Sequence, residues 1–170
     1  MDVRPEKPED HDPIRTVHAA SFPTPCEARL VDALRAAGHL SISLVAVERR
    51  QVVGHAAFSP VSLPGTSDGV GLAPVAVLRA FRRRGIAARL IREGLAICER
   101  SGHGFVVVRG DPAYYRRFGF GPASGWRLRD EYGGGDAFQT LELRPGAIPT
   151  DGGLVRYAPE FASIEDESSA

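Results

Sequence analysis

The chain has 170 residues, 43% hydrophobic and 25% charged, which suits one globular domain with a full core and excludes a disordered or fibrous chain. Its 21 Lys and Arg balance 21 Asp and Glu, so overall charge argues against a dedicated nucleic-acid or membrane-surface protein, and any basic site must be local. No segment approaches 18 uninterrupted apolar residues, the acidic start MDVRPEKPEDHD does not read as a signal peptide, and a cytoplasmic protein is expected.

In chain order, DVR reads as a short edge strand, and PEDHDPIRTVHAAS as a helix with Ile14, Val17 and His18 at helical spacing. PCEARLVDALRAAG is a second helix, with Ala28, Val31, Leu34 and Arg35 giving the period and Gly38 the stop. ISLVAVE and VVGHAAFSPVSL, joined by RRQ, predict a β-hairpin. LPGTSDG reads as a turn-rich loop and VGLAPVAVL as a third long strand. RRGIAARLIREGLAICERSG carries the strongest helical pattern. Ala87, Leu90, Ile91, Leu95 and Cys98 fall on one face, and Arg92, Glu93 and Arg100 on the other. GFVVVRG predicts a buried strand, and DPAYYRRFGF a short helix with Pro112 in its first turn and Gly119 beyond its end. AFQTLEL and GLVRYAP add strands. Residues 1–162 read as a single domain, and 163–170 as a flexible tail.

A strand–helix–strand run over residues 70–109 needs a crossover, so its two strands are expected as parallel neighbours. The expected fold is α/β: a mixed, mostly antiparallel central sheet with a central parallel pair and flanking helices. Cys26 and Cys98 are far apart, with no CxxC and no nearby histidine pair, so no metal site is expected. In SGWRLRDEYGGGDAF, Trp126, Tyr132 and Phe138 read as core residues anchoring a loop rather than as a lid.

The chemistry concentrates in RAFRRRGIAA, between an apolar strand and the strongest helix. A helix N-terminus offers unpaired N–H groups and partial positive charge, and glycine lets the backbone approach a ligand closely. Arg82, Arg83 and Arg84 add charge around Gly85, describing a site for a polyanion such as a pyrophosphate. Neither GxxxxGK[ST] nor GxGxxG is present. A solvated basic helix start is the competing reading. Nucleic-acid binding is weaker, because the cluster is local and lacks interleaved aromatics.

VAVLRAFRRRGIAARLI resembles the cofactor signature of the GNAT superfamily of N-acetyltransferases, a strand ending in valine followed by [Gln/Arg]-x-x-Gly-x-[Gly/Ala]: here Val77, then Arg82, Gly85 and Ala87. The family's Tyr-x-x-x-Gly-Phe motif appears as Tyr115 to Phe120, and RPEKPED resembles its first strand and turn. GDPAYYRRFGF further resembles a bacterial branch whose substrates are poorly defined.

The resemblance covers residues 1–122 and implies the GNAT fold and direct acetyl transfer from acetyl-CoA to a primary amine of a small molecule or peptide. It implies a pyrophosphate on the backbone of Arg82, Arg83, Arg84, Gly85, Ile86, Ala87 and Ala88. The pantetheine arm is expected along Val75, Ala76 and Val77, an oxyanion contact near Val77, and Tyr115 as general acid. Two departures are visible. Ala87 stands where Gly is commoner, and RGDPAYY lacks the Asn often found before the tyrosine helix, so Asp111 is expected to replace one pantetheine contact.

A protonated amine needs a base. Glu27 and His55 are the candidates, with Asp111 third. Each also has a bland reading, a solvated helix carboxylate for Glu27 and a satisfied strand histidine for His55. The rival function is a non-catalytic acyl-CoA-binding sensor of the same fold. No nucleic acid or membrane partner is expected, and monomer and homodimer both stay open.

Overall fold

The computed structural model describes residues 1–164. The apolar stretches form nine strands among the described residues. Hydrogen bonding orders seven of them β1-β2-β3-β4-β5-β8-β6, and β7 pairs with β9 apart from that sheet. The described chain divides into two compact units, one of Met1–Phe58, Pro74–Gly94 and the segment from Pro159, the other of Ser59–Ala73 and Leu95–Ala158. β3 (Gln51–Leu63), β4 (Thr66–Val77) and α3 (Ile86–Arg100) each contribute residues to both.

In the first unit, β1 (Asp2–Pro5) and β2 (Ile42–Glu48) pair antiparallel, and β2 pairs antiparallel with β3. The β2–β3 turn is Arg49-Arg50 alone. Both residues have positive φ (49° and 70°), the geometry that favours Asn-Gly. α1 (His11–Ala19) and α2 (Cys26–Ala36) are tied by Arg15 to Asp32 at 2.8 Å. Their apolar faces close a cluster of Ile14, Val17, Val31, Val45, Val52 and Ala76, with Phe22, Val47 and Leu78 packed against it. Of the periodic positions expected from the sequence, Ile14, Val17, His18, Ala28, Val31 and Leu34 are buried, while Arg35 is half-buried and bonds Glu6.

Gly54 seats the start of α3, because a Cβ there would stand 3.1 Å from Ile86, 3.2 Å from Leu90 and 3.2 Å from the Ala76 carbonyl. Gly94 does the same against Phe58, whose ring would lie 2.3 Å from an added Cβ. Cys26 and Cys98 are buried and not joined in a disulfide, and burial pushes the Cys98 thiol up to about 12.

In the second unit, β4 and β5 (Phe105–Arg109) are parallel, as the crossover required. β8 (Phe138–Glu142) pairs antiparallel with β5 and with β6 (Gly121–Pro122). β7 (Leu128–Asp130) and β9 (Gly153–Val155) pair parallel. Val61, Leu63, Phe105, Val107, Leu128, Phe138, Ile148 and Val155 make its core. α4 (Pro112–Tyr115) starts on Pro112 and runs into a 3-10 turn ended by Gly119 at φ 94°.

Three local expectations change. LPGTSDG shrinks to the turn Pro64-Gly65, because the strands extend to Leu63 and from Thr66. Trp126 is 40% exposed on a 3-10 turn, so only Phe138 of the three aromatics joins the core, while Tyr132 stacks on Tyr157. Residues 163 and 164 are helical, and the rest of the expected tail lies outside the described residues.

Candidate active site

The turn expected to hold a pyrophosphate lies in the first unit. Arg83 (φ 61°) and Gly85 (φ 76°) bend the chain into α3, and Arg89 N–H donates to the Gly85 carbonyl at 3.0 Å. The N–H groups of Ile86, Ala87 and Ala88 precede it and have no acceptor within the helix. An added Cβ at Gly85 meets no protein atom within 4 Å.

The three arginines differ. Arg82 Nε donates to the Val77 carbonyl at 3.0 Å, beside a bond from Ser21 Oγ at 3.3 Å. Arg84 pairs with Glu48 at 2.9 Å and covers the Phe81 ring. Arg83 stands exposed with no such tie. Before the turn, β4 is paired with β5 only over Gly69, Val70 and Gly71, although it continues to Val77. Val75 is half-buried, and Ala76 and Val77 are buried.

Glu27 and His55 also lie in the first unit, in contrasting surroundings. Glu27 is in the first turn of α2, half-buried, and its Oε2 is buried with no hydrogen-bond partner among the described residues. A buried carboxylate oxygen left so is costly unless a donor arrives.

His55 has no exposed surface and sits within a polar chain. Arg35 holds Glu6 with two bonds of 2.7 and 2.9 Å, and Ser43 Oγ donates to Glu6 Oε2. Ser43 Oγ also lies 2.8 Å from His55 Nε2, and His55 Nδ1 lies 2.8 Å from His18 Nε2. Burial works against the Glu6 charge, but hydrogen bonds from Arg35 and Ser43, with His55 Nε2 3.8 Å away, hold its carboxyl well below the usual range.

The protons in this chain can therefore be assigned. Ser43 gives its one proton to the carboxylate, so His55 Nε2–H donates to Ser43 and His55 Nδ1 accepts from His18 Nε2–H. Burial, then the nearby His55 and Arg35, push His18 down to about 3, and burial lowers His55 as well. Both rings are neutral at pH 7. Neither nitrogen of His55 is left for a substrate.

Tyr115 belongs to the second unit. It ends α4, which Asp111 caps by accepting from Ala113 N–H at 2.9 Å. The cap is the role the structure gives Asp111. The Tyr115 ring packs edge-on to Phe120 and Tyr114. Burial, with a smaller push from Tyr114, raises its hydroxyl to about 12, so it keeps its proton through the physiological range. Sequence reasoning missed Ser21, which has no motif, and Gly110, whose importance shows only in three dimensions. Among the described residues no group of three or more His, Cys, Asp or Glu could hold a metal ion, and no helix is long and apolar enough to cross a membrane.

Known proteins resemble this chain in sequence and fold. Residues 2–123 match the family model described as an acetyltransferase (GNAT) domain. The N-acetyltransferase YhbS of Escherichia coli is 41% identical over 164 residues, 95% of this chain and 98% of its own. The crystal structure of E. coli YhbS in complex with CoA superposes with a TM-score of 0.89 at 39% identity, over 95% of this chain and 91% of that one. A GNAT family acetyltransferase from Brucella melitensis, solved with acetyl-CoA, gives a TM-score of 0.80 at 41% identity, over 94% and 97%. The chain belongs to the GNAT family of acetyltransferases.

Proposed function

We propose that this acyltransferase moves the acetyl group of acetyl-CoA directly to a primary amine of a small molecule or peptide, with no covalent acyl-enzyme. The observation that carries the reading is β4, whose pairing with β5 stops at Gly71 while the strand runs on to Val77 and into the glycine turn. An extended polar arm can add to such a strand, and the N–H groups from Arg83 to Ala88 suit the pyrophosphate that follows. Relatives solved with CoA and with acetyl-CoA support the choice of cosubstrate.

In this reading Glu27 takes the ammonium proton, directly or through water, and the freed amine attacks the thioester carbon. The N–H near Val77 holds the developing oxyanion. The C–S bond breaks and Tyr115 gives its proton to the departing thiolate. His55 is left out of proton transfer from the substrate, because its ring is enclosed and committed. The thiol of Cys98 is a poor nucleophile, since burial keeps it protonated.

Calorimetric titration with acetyl-CoA and dephospho-CoA, beside Gly85→Glu, tests the reading. No protein atom crowds position 85, but its φ of 76° strains any side chain, so a Gly85→Glu that melts like the wild type and no longer binds acetyl-CoA is the result that supports a pyrophosphate at this turn. A wild type that binds no CoA ends the proposal. One that binds acetyl-CoA and turns it over on no amine favours the sensor.

A further inference from the structure

Gly110 has an ordinary, negative-φ backbone, so conformational freedom does not explain a glycine there. Space does. An added Cβ would stand 2.4 Å from Tyr115 Cε2, 3.1 Å from its Cδ2 and 3.4 Å from its Cζ. The Cε2 edge of the ring therefore abuts the bare α-carbon. Neither side is free to withdraw.

The Gly110 N–H donates to the Ala137 carbonyl at 3.0 Å, and the Gly110 carbonyl accepts from Gln139 Nε2 at 3.1 Å. Gln139 is 2% exposed and its amide also donates to the Ala137 carbonyl at 3.3 Å, so one side chain ties Gly110 to the start of β8. On the other side the ring is held by Phe120, 5.8 Å away and edge-on, and by the Asp111-capped turn, where Tyr115 N–H donates to the Asp111 carbonyl at 3.1 Å.

We infer that Gly110 and Gln139 are positioning residues for the reaction: Gln139 fixes the Gly110 peptide, and the bare face of Gly110 sets where the Tyr115 hydroxyl points. This deepens the proposed function and rests on its assignment of Tyr115 as the acid. Any side chain at 110 pushes the ring away from its seat while leaving the cofactor turn, in the other unit, untouched. The expected signature is a loss in kcat without a loss in acetyl-CoA binding.

The experiment is a double-mutant cycle on the full chain with Gly110→Ala and Tyr115→Phe, with folding checked by thermal melting. Gly110→Ala is expected to lower kcat about 100-fold, the scale of an ångström of misplacement. KM for acetyl-CoA should stay within about twofold of wild type. In the Tyr115→Phe background Gly110→Ala should cost nothing further, since it acts through a hydroxyl already gone. An ultraviolet titration adds an independent readout: the tyrosine whose ionisation near 12 vanishes in Tyr115→Phe should ionise at lower pH in Gly110→Ala.

Losses that multiply in the double variant, or a Gly110→Ala enzyme with wild-type kcat, overturn the inference. If Tyr115→Phe itself keeps full kcat, the acid assignment falls, and the inferred role in the reaction falls with it. Should Gly110→Ala not fold, Gln139→Leu removes the tie without adding bulk at 110. Its loss in kcat must likewise disappear in the Tyr115→Phe background, and a loss that persists there overturns the inference.

Discussion

Two buried polar regions of this molecule use the same physics to opposite ends. In the first unit, Arg35, Glu6, Ser43, His55 and His18 form a chain in which each hydrogen bond fixes the direction of the next. In the second, Tyr115 carries a hydroxyl whose proton burial retains, with no such chain to dictate it. Burial drives both toward neutrality, lowering His18 and raising Tyr115. A polar group whose every proton is committed specifies the fold, and one whose proton is uncommitted is available for chemistry. That contrast separates His55 from Tyr115 as candidates better than residue type does.

The sharpest way to break the contrast is Tyr115→Phe. It should lower kcat by about 10²- to 10⁴-fold, the usual scale for a lost general acid, and leave thermal stability unchanged. An activity assay and a melting curve on one preparation check both halves. Glu6→Ala should do the reverse. It removes the acceptor of Ser43 and two of the bonds of Arg35, which keeps Asp32 at 2.9 Å, and should destabilise the fold by about 2 kcal/mol, read by urea unfolding, while the protein that remains folded keeps its kcat.

The pH dependence of stability sharpens the contrast further. His18 is about 3 in the folded state against an ordinary 6.5, so below 6.5 the unfolded chain binds the extra proton. Stability from this group is complete above 6.5 and is lost progressively as pH falls toward 3. His18→Gln should flatten that part of the profile. An unchanged slope would mean that His18 is not the group titrating.

The smallest expected effect lies in neither region. Arg49→Asn with Arg50→Gly relieves two positive-φ side chains and should stabilise by roughly 1 kcal/mol, with unchanged kinetics.

Much of the fold was legible because it is periodic. Ile14, Val17, Val31 and Leu34 repeat at helical spacing and are buried, and the β4–α3–β5 crossover forces the parallel pair. The candidate site was legible where local geometry demands a residue, as at Gly85 and Gly119 with their positive φ. Gly110 was not, because its backbone is ordinary and its need for space arises from a ring brought back by the fold. The neighbours of His55 are Glu6 just after β1, His18 on α1 and Ser43 on β2, so no spacing announces them. Trp126 was misread because an aromatic beside glycines gives no sign of which way the turn will face. The arginine run was read as one basic cluster, yet Arg82 is turned to the backbone and Arg84 to Glu48.

The two enclosed thiols have a practical side. Cys26 and Cys98 are both shielded, and Cys98 stays protonated far above the pH at which maleimides are used. A single cysteine placed on an exposed position, such as Arg83 in the turn or Arg116 beyond α4, would then be the one group a fluorophore or spin label finds in the native protein. The unaltered chain already supplies a silent background, so probes can report on ligand arrival without removing any native residue first.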